Sequence, residues 1–74
     1  MRRLPLLSGE EVVKKLEKAG FIFVRQVGSH LILRRESSPR LTLSVPNYRE
    51  LKKGTLRNIL RQAGITVERF KELE

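Results

Sequence analysis

At 74 residues the chain has room for one domain with a small core, and 39% hydrophobic with 32% charged residues is the balance of a folded protein rather than a disordered one. With no cysteine there is no disulfide framework and no thiolate metal site, and a single histidine argues against a zinc site, so neither metal nor cofactor is expected. A net charge of +8 points to a polyanionic partner, nucleic acid first, and between Arg25 and Arg61 nine basic residues stand against two acids, +7 of that total.

No apolar run reaches the roughly 18 residues of a membrane span. Met1, Arg2, Arg3, Leu4, Pro5 lacks the apolar core of a signal peptide, so the expected location is the cytoplasm, away from any membrane.

Ser8, Gly9, Glu10, Glu11 is a capping-box sequence and starts a first helix over 9–19. Val12, Val13, Leu16 and Ala19 fall on one face, and Gly20 suits the position just past the end.

Residues 21–27 and 30–34 are rich in β-branched and aromatic side chains and flank Gly28-Ser29, the signature of a two-residue type II′ hairpin turn. That turn sets Val27 opposite His30 on one side of the sheet. Unbroken alternation from the turn puts Ile22, Val24, Leu31 and Leu33 on the other, core side, and leaves Phe23, Arg25, Ile32 and Arg34 with His30. Ser37, Ser38 and Pro39 interrupt the pattern; Leu41 to Val45 then alternates as a third strand, ended by Pro46, with Thr42 and Ser44 on the side of His30.

Asn47 to Lys53 is polar, and Thr55 is the expected N-cap of a second helix whose stripe is Leu56, Ile59, Leu60 and Ala63, closed by Gly64. Thr66 caps a short third helix with Val67, Phe70 and Leu73 toward the core, while Phe21 and Phe23 read as edge packing or partner surface rather than base-stacking residues. The expected fold is α+β, α-β-β-β-α with a short C-terminal helix, and its three-stranded antiparallel sheet carries the helices on one face. This is the order of double-stranded-RNA-binding domains.

Histidine is the side chain suited to exchanging protons near neutral pH, and RNA brings its own nucleophile, the ribose 2′-OH. Cleavage then needs a base, cations for the developing charge and alignment. His30 is the candidate base, with Arg25 and Arg34 near it on the open face and Arg49, Lys52 and Lys53 as phosphate clamps; the last two sit where a helix N-terminus already favours an anion. The leaving oxygen needs a proton, for which Tyr48, a lysine or water is available. Two other readings stand beside this one. The basic surface serves as a non-catalytic RNA-binding module, or the open face docks an acidic protein.

Leu7-Ser8-Gly9, Gly20-Phe21, Gly28-Ser29-His30 and Leu51-Lys52-Lys53-Gly54-Thr55-Leu56 with Ile59-Leu60, at these spacings, resemble the HicA toxins. The resemblance runs over roughly positions 6–66. It implies a ribosome-independent mRNA interferase of a type II toxin–antitoxin pair, an endoribonuclease with a double-stranded-RNA-binding-like fold, acting on mRNA. It also implies that His30 is the catalytic residue and that a HicB-like antitoxin neutralises the toxin by covering it. Many members of that family follow the third strand with Pro, any residue, His; here the sequence is Pro46-Asn47-Tyr48, and the second histidine is absent.

Overall fold

The computed structural model describes residues 6–73. Residues 1–5, read above for a signal peptide, and residue 74 lie outside it. Six elements follow in chain order: α1 (Gly9–Lys18), β1 (Ile22–Val27), β2 (His30–Arg35), β3 (Leu41–Pro46), α2 (Lys53–Ala63) and α3 (Val67–Glu72). The strands form an antiparallel meander in the order β1-β2-β3, and the α-β-β-β-α layout with its open sheet is the expected one.

Local signals set the ends of α1. The Ser8 hydroxyl accepts from the Glu11 N–H at 3.1 Å and the Glu11 carboxylate accepts from the Ser8 N–H at 2.9 Å, so two of the free amides of the first turn are satisfied reciprocally. At the other end Gly20 takes φ +102°, a conformation open to glycine. Between them Val12, Val13 and Leu16 turn inward.

The sheet offers Leu31, Leu33, Leu43 and Val45 to the helices, and α2 contributes Leu56, Ile59, Leu60 and Ala63. Each large side chain removed from water here contributes about 1.5–3 kcal/mol. Phe70 and Leu73 of the C-terminal segment close one side of this core. That closure is pinned by Lys15, whose ammonium donates to the carbonyls of Phe70 and Leu73 and lies 5.1 Å from the centre of the Phe70 ring. A cation at the carbonyls of a helix's last turn also meets the negative end of the helix dipole.

Three details differ from the sequence reading. Ile22 and Val24 are exposed rather than core, and Phe23 pairs with Leu33 on the helix side. The reason is a phase conflict. Counting back from the turn, Gln26 faces the helices opposite Leu31, and strict alternation would turn Phe21 outward; Phe21 is instead 3% exposed in the core. The two demands are one residue out of step, and a bulge between Phe23 and Arg25 absorbs the extra residue, Val24. Phe21 is therefore a core residue, not edge packing or partner surface. Third, α2 begins two residues before Thr55: its N-cap is Lys52, which makes no side-chain capping bond.

Candidate nucleic-acid interface

Gly28 has φ +59° while Ser29 stays at negative φ, the pattern of a type II′ turn, and Val27 and His30 are paired across it. His30 is thus the first residue of β2. Its other neighbour is Pro46 at the end of β3, and the whole row of His30, Ile32 and Arg34 faces away from the helices, opposite Pro46, Ser44 and Thr42. His30 is exposed.

The loop after β3 is laced to this corner by backbone bonds. Asn47 N–H donates to the Ser29 carbonyl at 2.7 Å, Gly9 N–H to the Tyr48 carbonyl at 2.9 Å, and Leu51 N–H to the Leu7 carbonyl at 2.8 Å. The hairpin turn, the start of α1 and the segment leading to α2 therefore meet at one end of the molecule. Gly9 makes the meeting possible. A Cβ there would stand 2.1 Å from the Pro46 carbonyl oxygen, backbone that has nowhere to retreat. Sequence reasoning missed this role. The available signal was a glycine at the first helical position, where it is a poor helix former and its small size has to serve another end.

Tyr48 lies two residues past the one opposite His30 and is 53% exposed. Lys52 follows it by four residues, so their Cα atoms are within about 14 Å. Arg49, Lys52 and Lys53 are all exposed. Arg25 pairs with Ile32, which makes it a diagonal neighbour of His30, about 7–8 Å away on the same face.

Arg34 is differently placed. It lies four residues along β2, about 13 Å from His30, and is not near it as expected. Its Nε donates to Glu36 at 2.6 Å, and Glu36 also holds Arg40 at 3.3 Å. Arg34, Glu36, Arg40, Leu41 and Thr42 line a shallow depression at that far end. These are the ion pairs among the described residues, so the charges of Arg25, Arg49, Lys52 and Lys53 are not neutralised by any of them.

His30 and Arg25 thus share the open face, and the segment tied to the turn beside them carries an exposed phenol and the exposed cations Arg49, Lys52 and Lys53. Among the described residues no group of three or more His, Cys, Asp or Glu could hold a metal ion, and no helix is long and apolar enough to cross a membrane.

Residues 9–65 match the family described as the HicA toxin of bacterial toxin–antitoxin systems. The chain belongs to the HicA toxin family. The matched span takes in α1, the whole sheet, the 47–52 loop and α2, and leaves α3 outside. No curated protein and no solved structure gave a significant match. As a toxin of such a pair, the protein has an antitoxin as its partner.

Proposed function

We propose that this toxin is an mRNA interferase, a cytoplasmic endoribonuclease that cuts single-stranded RNA with His30 as general base. The observation that carries the reading is the position of His30, exposed on the sheet face that the helices leave open and beside a loop carrying Tyr48, Arg49 and Lys52. The neutral imidazole takes the proton of a ribose 2′-OH, and the 2′-oxygen attacks the adjacent phosphorus. The bond to the 5′-oxygen breaks, and that oxygen takes a proton from the Tyr48 hydroxyl, or from a lysine or water. The products are a 2′,3′-cyclic phosphate and a 5′-OH end. Arg25 lies closest to the developing charge, while Arg49, Lys52 and Lys53, at and just before the N-terminus of α2 with its uncapped amides, hold flanking phosphates. Arg34, engaged by Glu36, contributes a weaker, more distant contact. A HicB-like antitoxin then silences the enzyme by covering His30.

The deciding assay is purified protein with a long single-stranded RNA in EDTA, wild type against His30→Ala. The general-base role predicts a fall of about 10²- to 10⁴-fold in cleavage, with the fold kept because the side chain is exposed. Cleavage by the variant at the wild-type rate would overturn the role. A second reading, RNA binding without cleavage, is favoured by Tyr48 standing where many family members carry a histidine; it predicts a gel shift without fragments for both proteins.

A further inference from the structure

Among the described residues β1 forms one edge of the sheet, with β2 on one side of it and no strand on the other. Proteins usually protect such an edge with several charges, a proline, a very short strand or a covering element. Here all six residues of β1 are exposed and Arg25 is the one charge among them, while Ile22, Phe23, Val24 and Val27 are 50, 42, 37 and 52% exposed. The bulge at Val24 twists the edge without covering it.

The backbone groups that face outward follow from the register. Val27 and His30 close the two-residue turn and exchange ladder hydrogen bonds, so the next pair, Gln26 and Leu31, does not. Leu31 and Leu33 turn their amides toward β3, which leaves the N–H and C=O of their β1 partners, Gln26 and Phe23, directed away from the sheet. On the helix side the same edge opens into a groove lined by Glu10, Val13, Lys14, Glu17, Phe23, Gln26 and Leu31, so its floor is apolar and its α1 rim carries two carboxylates and one ammonium. An extended chain laid against β1 finds backbone partners along its length, a slot floored by Val13, Phe23 and Leu31 but rimmed by Glu10 and Glu17 for alternate side chains, which keeps carboxylates out of it, and Arg25 beside the others.

We propose that β1 accepts an extended acidic segment of the antitoxin as a fourth strand, with apolar side chains in the groove beside α1 and carboxylates next to Arg25. This rests on membership of a toxin–antitoxin family and is independent of cleavage by His30. Charge selects the occupant. A second copy of this chain would bring a second molecule of net charge +8 and set Arg25 against Arg25, whereas an acidic strand is attracted from a distance and neutralises Arg25 on arrival. RNA has no row of amide groups to match the edge, and its phosphates gain nothing from a slot containing Phe23, Val13 and Leu31. The added strand lies about 10 Å from β2, so it flanks His30 without needing to touch it.

The test is amide hydrogen exchange of the toxin, free and in complex with its cognate antitoxin. Phe23 and Gln26 amides are expected to slow at least tenfold in the complex; unchanged exchange at both overturns the proposal. Gln26→Pro removes an outward N–H at an edge position, and Phe23→Asp puts a carboxylate in the slot, where it repels an acidic strand, while leaving the backbone intact in case the proline unfolds the strand. Each is expected to weaken antitoxin binding at least tenfold by calorimetry while RNA cleavage persists. Wild-type affinity in a folded Phe23→Asp variant overturns the proposal. So does protection of the same amides by self-association or by single-stranded RNA alone. If His30→Ala cleaves normally while the amides are protected, the catalytic reading fails and this one stands.

Discussion

The N–H of Gly9, the first residue of α1, donates to the carbonyl of Tyr48 at 2.9 Å, joining the start of the first helix to the loop beside His30. The bond can form because nothing projects from the Gly9 Cα, and the Pro46 carbonyl fills the space a methyl group would need. Gly9→Ala must therefore push backbone against backbone. The expected cost is about 1–3 kcal/mol, as for overpacked cores. In a domain of this size that lowers the melting temperature by about 5–20 °C, and RNA cleavage should fall further than stability alone explains, because Pro46 and Tyr48 move relative to His30. Calorimetric melting and cleavage rates measured well below the transition check both halves.

Tyr48→Phe removes the phenolic hydroxyl and keeps the ring. If that hydroxyl protonates the leaving 5′-oxygen, cleavage of RNA should slow by about 10²-fold. A phosphodiester with a nitrophenolate leaving group needs no proton, so the defect should vanish on it while that of His30→Ala remains. Tyr48→His is expected to cleave RNA at least as fast as wild type. Equal rates for Tyr48→Phe on both substrates would assign the proton to lysine or water.

Binding to single-stranded RNA should weaken steeply with salt, each phosphate contact contributing about 0.7 to the slope of log affinity against log salt. Removing Arg25, Lys52 or Lys53 singly should reduce the slope by about that amount. Arg34→Ala should reduce it less, because Glu36 already holds that guanidinium. Titrations of His30→Ala at several salt concentrations measure the slopes without interference from cleavage.

Lys15→Met keeps the aliphatic stem and removes the ammonium that donates to Phe70 and Leu73. A half-buried charged donor lost at a helix end should cost about 1–2 kcal/mol, and α3 should loosen before the rest. Urea denaturation gives the stability, and exchange at the Phe70 and Leu73 amides, which bond to Thr66 and Phe70, reports the loosening.

Much of this fold was legible because its signals are local. The Ser8–Glu11 box, the Gly28-Ser29 turn, the stripe from Leu56 to Ala63 and the Thr66 cap each act within a few residues, and each forms as read. What stayed hidden depends on distant partners. The phase of β1 is set by Phe21 at one end and the turn at the other, so neither end alone reveals the bulge. The start of α2 follows Leu51, 2% exposed and bonded to Leu7, rather than any capping side chain. Within the site, the shared face of Arg25 and His30 was readable from the turn, whereas the engagement of Arg34 by Glu36 depends on how the chain bends after β2.

The uncapped start of α2 has a consequence for anyone engineering this toxin. Two lysines stand where the helix dipole disfavours cations, and no side chain accepts from the free amides. Serine or aspartate at position 52 would return about 1 kcal/mol of stability, and in doing so would remove one of the positive charges proposed to hold RNA. Thermostability and toxicity pull in opposite directions at this residue, so a variant selected for survival at high temperature is expected to be a milder poison.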